Sequence, residues 1–157
     1  MSGLISLWNR VTGALSGTVG ESIALLITRF ALAGIFWRSY KTKVVDGTWF
    51  EISDTTHFLF QEEYSGVPLP ADFAAVMATY SEFLFPILLV LGLFTRFAGL
   101  ALLGMTLVIQ FFVYTTSDFW WGTHIIWVAM AAILISRGGG LISLDALLGR
   151  ATASKAA

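Results

Sequence analysis

Residues 73–94 read FAAVMATYSEFLFPILLVLGLF, an apolar run of membrane-spanning length broken by one charged group, Glu82. A spanning helix needs about 20 predominantly apolar residues. A carboxylate in hydrocarbon is costly, so Glu82 is expected to face a bundle interior and to meet a partner there. Three more stretches are apolar and of near-spanning length: 22–45, 97–116 and 119–136. Arg29 lies in the first, Gln110 in the third and His124 in the fourth. The chain therefore reads as an all-α, integral membrane, antiparallel four-helix bundle with a polar centre.

Composition supports this reading. Hydrophobic residues make up 57% of the chain and charged residues 12%, an apolar excess unlike that of soluble domains. Helices satisfy the backbone in lipid within so short a chain. The net charge is −1 and no basic patch stands out, so nucleic acid is not an expected partner. There is no cysteine, which excludes disulfides, thiolate catalysis and cysteine metal sites. The two histidines sit on different elements without ligand spacing, so no metal site is expected. The first apolar run is too long for a signal h-region and carries Arg29, so it should insert as an uncleaved anchor.

The chain divides into an interfacial N-terminal segment (1–20), a membrane domain (21–148) and a disordered tail (149–157). Leu4, Ile5, Leu7, Trp8, Val11 and Leu15 recur at helical spacing, which predicts a short helix lying in the interface. The first spanning helix should begin near Glu21. The outer loop, 46–72, should hold a short helix capped by Ser53 or Asp54 and running through Glu63. Pro70 and Asp72 then start the second span. Gly92–Phe97 is a tight hairpin, so spans two and three should be antiparallel neighbours. Arg137-Gly138-Gly139-Gly140 ends the fourth span, and 141–148 reads as a short amphipathic segment. Four spans leave both termini on one side. That side carries Arg10, Arg96, Arg137, Arg150 and Lys155, against Arg38, Lys41 and Lys43 opposite. The positive-inside rule then predicts cytoplasmic termini.

At about 1.5 Å of rise per residue, Glu82, Gln110 and His124 share a level in the outer half, with Arg29 below and Arg38 just above. Pro86 removes the helical partner of the Glu82 carbonyl, which makes a double acceptor at one level. A guanidinium suits that site, so Arg29 or Arg38 is expected to pair with Glu82. His124 is expected among Trp120, Trp121 and Trp127, able to exchange a proton with a bound headgroup. The polar core candidates are therefore Arg29, Arg38, Glu82, Gln110, His124 and Trp127. Two readings stand side by side: a register device that aligns helices, and a ligand site.

These residues carry a resemblance. The chain resembles the DoxX family of small four-helix bacterial membrane proteins, over roughly Ile23 to Leu148. The match rests on Arg29, Phe36 and Lys41, on Glu63-Tyr64 with Val67-Pro68-Leu69-Pro70, and on Glu82 followed by Leu91-Gly92-Leu93-Phe94-Thr95-Arg96. Met105, Gln110, His124, Trp127, Arg137–Gly140 and Ser143-Leu144-Asp145 complete it. The chain departs where the family often has Gly-Pro-Gly (here Gly138–Gly140), Trp-Pro (here Trp121-Gly122) and a glycine near Arg38-Ser39. The resemblance implies a role in redox homeostasis or the oxidative-stress response, with quinone as candidate ligand. A membrane or periplasmic oxidoreductase is the candidate partner, beside the lipid bilayer and a second copy of the chain. Quinone chemistry would need an electron donor from outside this chain. The competing class is a non-catalytic scaffold or assembly factor for a metal- or stress-related membrane system. No motif assigns a reaction.

Overall fold

The computed structural model describes residues 2–155. Helix α1 (Ser2–Ser16) leads through Gly17 into α2 (Thr18–Lys43). A loop with one antiparallel bridge, Val44 to Ile52, precedes α3 (Asp54–Glu62). Then come α4 (Ala71–Leu91) and α5 (Thr95–Val108), which continues as a π-helical turn over Ile109–Val113. Helix α6 (Ser117–Phe119) passes through a second π-helical turn, Trp120–His124, into α7 (Ile125–Arg137). Helix α8 (Leu144–Lys155) follows. Four helical segments are long and apolar enough to cross a membrane: Thr18–Lys43, Ala71–Leu91, Thr95–Val113 and Ser117–Arg137. This is an all-α membrane bundle.

Each span buries one stripe at helical spacing. In α2 the stripe is Ser22, Leu25, Arg29, Leu32, Ala33, Phe36 and Tyr40. In α4 it is Ala74, Ala75, Thr79, Glu82, Pro86 and Leu89. Helix α5 buries small residues, and a Cβ on Gly99 would sit 3.5 Å from the Ala131 carbonyl oxygen, so α5 and α7 pack closely. Leu32, Phe36, Leu89, Leu102 and Leu134 form the apolar centre. Large apolar side chains also cover the outside, among them Phe30, Phe73, Phe97, Phe111 and Ile133. A surface of that kind suits lipid, where apolar groups gain nothing by burial.

Several boundaries follow the sequence signals. Ser53 caps α3, and Pro70 sits at the N-cap of α4. Helix α1 exposes Leu4, Leu7, Trp8 and Val11, as an interfacial helix would. Two boundaries differ. The first span begins at Thr18 rather than Glu21, because Gly17 alone breaks the helix. Helix α8 runs to Lys155, through most of the expected disordered tail, because Ala146–Ala153 contains good helix formers and no proline. Ala156 and Ala157 lie outside the described residues.

The α4–α5 turn is held by α8. Gly92 caps α4 in the left-handed region (φ 66°), and Phe94 also has a positive φ of 49°, uncommon for a residue with a side chain. Asp145 secures it: the Phe94 N–H donates to Oδ1 (2.8 Å) and the Thr95 N–H to Oδ2 (2.9 Å). The Asp145 N–H in turn donates to the Gly92 carbonyl (2.9 Å). One carboxylate thus caps α5, holds a strained turn and docks α8. We expect Asp145→Ala to destabilise the protein by about 1–2 kcal/mol, the usual cost of a lost N-cap. Asp145→Asn, which keeps one acceptor, should cost less. Unfolding in detergent micelles would measure both, and an unchanged Asp145→Ala midpoint would remove this role.

Candidate functional site

A cavity of about 500 Å³ lies within the bundle at the end that carries α3. Its wall is mostly apolar, with Phe36, Met77, Phe85, Met105 and Ile109 from the spans and Phe60 from α3. The polar groups in it are few: Lys43 with Glu82, His124, and the phenols of Tyr64 and Tyr114, with Ser39, Thr42 and Ser81 around them.

The partner of Glu82 is Lys43. Its Nζ lies 2.8 Å from Glu82 Oε2 and 2.8 Å from Ser39 Oγ. Neither Arg29 nor Arg38 makes the expected pair. The reason is register. The Arg29 guanidinium packs on Gly92, where an added Cβ would collide with Nη1, so Arg29 is level with the α4–α5 turn. Counted from there at about 1.5 Å per residue, Glu82 stands about 15 Å and Lys43 about 21 Å toward the other end. Side chains lean toward their own helix N-terminus. The antiparallel helices therefore aim Lys43 down and Glu82 up, toward each other, while Arg29 leans away. Arg38 reaches the right level, but about 200° around α2 from Phe36, and it is exposed. Lys43 follows Phe36 by seven residues, as Phe36 follows Arg29, so all three share one stripe.

Arg29 instead serves the opposite end. It is fully buried and donates from Nη2 to the Ile142 carbonyl. Among the described residues, its Nε and Nη1 have no hydrogen-bond partner.

Gln110 and His124 do meet. His124 Nδ1 and Gln110 Oε1 are 2.6 Å apart and buried. Each residue sits in one of the two π-helical turns, which displace side chains from regular helical positions and recur at functional sites. Gln110 Nε2 donates to the Thr116 carbonyl (3.4 Å), which orients the amide so that Oε1 faces the imidazole. Nδ1 is then the donor, and in the neutral ring Nε2 is an acceptor available to the cavity. Trp127 packs on His124 with ring centres 5.0 Å apart. Trp121 does not join it and is exposed, while Phe119 stacks on the imidazole at 6.1 Å. The π-helical turn carries Trp121 outward.

Tyr64 and Tyr114 complete the cavity, their hydroxyls 3.3 Å apart. Burial, and then the Tyr114 hydrogen bond, push the Tyr64 phenol well above the usual tyrosine range, so it stays protonated. Helix α3 covers this end as a lid, with Tyr64 just beyond its C-terminus and Phe60 packed on Ala74 and Ala75 of α4. His57 anchors that lid through Asp72 (3.0 Å). Among the described residues, no three His, Asp or Glu side chains gather as a metal-ligand set.

A bundle of four spans around a largely apolar cavity with a handful of inward polar groups defines a small multi-pass membrane protein. The DoxX family profile matches residues 24–115, and the chain belongs to that family. The match takes in Arg29, Lys43, Tyr64, Glu82 and Gln110 and stops before His124. The chain is similar to an uncharacterized protein of Haemophilus influenzae, 35% identical over 136 residues, spanning 83% of this chain and 86% of the relative. No solved structure matches the chain significantly.

The ion pair is unequally shielded: the Lys43 side chain is 15% exposed and that of Glu82 3%. Lys43→Met leaves an unpaired carboxylate in low dielectric and should cost on the order of 3–5 kcal/mol unless Glu82 takes up a proton. Glu82→Gln should cost less, because the freed ammonium can swing to the interface. The double variant should recover most of the loss. Unfolding of all four proteins in detergent tests this, and additive effects would show that the two groups act independently.

Proposed function

We propose that this chain binds a quinone-class amphiphile in the α3-end cavity and supports a partner oxidoreductase of the bacterial inner membrane. The observation that carries this reading is the oriented His124: Gln110 fixes its tautomer and leaves Nε2 as an acceptor in a mostly apolar chamber. A bound quinone would supply a carrier of electrons and protons. The chain's own contribution is to hold the headgroup and to place protons around it. Nε2 of His124 accepts from a headgroup hydroxyl. Lys43 and the protonated Tyr64 stand ready as donors to headgroup oxygens. The Phe36, Phe85 and Trp127 walls exclude water and match a ring and an isoprenoid-like tail in polarity. Electrons would come from the partner. This places the protein in redox homeostasis, with the cavity on the periplasmic side and both termini in the cytoplasm, as the Lys and Arg distribution supports.

Two experiments test this. Quenching of Trp127 fluorescence by a short-chain quinone should saturate in the wild type. His124→Phe should weaken that binding about tenfold while the bundle stays folded, and Gln110→Leu should weaken it in the same direction by less. Equal affinity in a folded His124→Phe protein would return the histidine to a structural role and favour the scaffold reading.

Topology is tested separately. A reporter fused after Ala157 should read cytoplasmic, and one inserted at Asp46–Thr48 periplasmic. The reverse pattern would turn the cavity toward the cytoplasm.

A further inference from the structure

At the other end of the bundle a second cleft, about 550 Å³, opens between the first turn of α5 and the glycine loop after α7. Arg96 and Arg137 line it. Gly138 has a φ of 78°, and a Cβ there would lie 3.4 Å from Arg96 Nε, so the arginine lies across the bare loop backbone. Thr95 also lines the cleft. It is fully buried, and among the described residues its hydroxyl has no hydrogen-bond partner, although buried hydroxyls ordinarily have one. The acidic residue in the wall is Asp145, and both its oxygens are engaged by the Phe94 and Thr95 N–H groups. Behind the wall lies the buried Arg29 guanidinium with two unmatched donors. The cleft is therefore electropositive, with its carboxylate already committed. Phe94 and Phe97 flank it and are exposed, which supplies an apolar margin beside the charged groups.

We propose that this cleft binds a phosphate-bearing anion, with Arg96 and Arg137 as charged donors and the Thr95 hydroxyl completing the set. The phenylalanine margin points to the headgroup of an anionic phospholipid as the source. A guanidinium pair suits a phosphate diester through its forked donors. Arg137 is also held by Glu21 at 3.3 Å on the surface, so Glu21 competes with the lipid for it.

The test uses the full chain in phosphatidylcholine nanodiscs, with phosphatidylglycerol titrated in and native mass spectrometry reading the retained lipid. Wild-type protein should retain phosphatidylglycerol in preference to phosphatidylcholine. Arg96→Gln with Arg137→Gln should lower that retention about tenfold or more. Thr95→Val should lower it several-fold. Glu21→Gln, which frees Arg137, should raise it, and this variant decides the matter if the double arginine variant fails to fold. Arg38→Gln, at the far end, should leave it unchanged. Inorganic phosphate that displaces the lipid, with the same dependence on Arg96 and Arg137, would support the site and assign it to free phosphate. Retention that ignores Glu21→Gln and the arginine variants, or that falls equally in Arg38→Gln, would overturn the proposal.

Discussion

The packing of the Arg29 guanidinium on Gly92 fixes how far α2 slides along α4, and the polar interior follows from that register. Gly92 is needed there twice, once for its left-handed φ and once because any Cβ would occupy the position of Nη1. With Arg29 level with the turn, the same stripe of α2 brings Phe36 to the middle and Lys43 above Glu82. A slide of one helical turn, about 5.4 Å, would take Lys43 out of reach of the carboxylate. It would also place a buried cation against a different backbone. The bundle thus uses one cation to set its register and another to neutralise its acid.

In water, the ion pair would matter little. In a bundle surrounded by hydrocarbon, its separation leaves a charge with nowhere to go, so the pair selects one arrangement of helices even where it adds little net stability. The same reasoning covers the opposite end. Asp145 meets the first N–H groups of α5, where a helix presents partial positive charge. Ser22 accepts from the Leu141 N–H, tying the start of α2 to the loop before α8. Polar contacts thus tie both ends of the bundle together, and the cavity lies at the α3 end beside the Lys43–Glu82 pair.

Much of this was legible in the chain. The four spans, the amphipathic helix α1, the Ser53 cap and the proline start of α4 all follow from hydropathy and local backbone chemistry. The meeting of Gln110 with His124 was foreshadowed by their equal depth. The partner of Glu82 was not, because rise per residue alone omits the lean of each side chain toward its own helix N-terminus. The seven-residue spacing Arg29, Phe36, Lys43 held that information. Tyr64 was visible only as part of the loop pair Glu63-Tyr64; its contact with Tyr114 is set by how α3 folds over the spans. The π-helical turns leave no simple periodic signal, and they decide that Phe119 rather than Trp121 stacks on His124.

Those π-helical turns have a further consequence. Each inserts a residue into a helix at the α3 end, on α5 and on the span that follows it, and together they bring an amide and an imidazole into one buried contact. A regular helix through 109–113 would carry Gln110 with a different neighbour of the 3.6-residue period, and the oriented tautomer would be lost. The irregular backbone sits where α3 covers the spans and where the cavity lies, a place where non-helical hydrogen bonding is tolerated because protein, not lipid, surrounds it. The opposite end holds a different irregularity, the left-handed Gly92 and Phe94 of the α4–α5 turn, which Asp145 secures. The fold thus places both π-helical turns at the end that holds the cavity, where they set the Gln110–His124 contact.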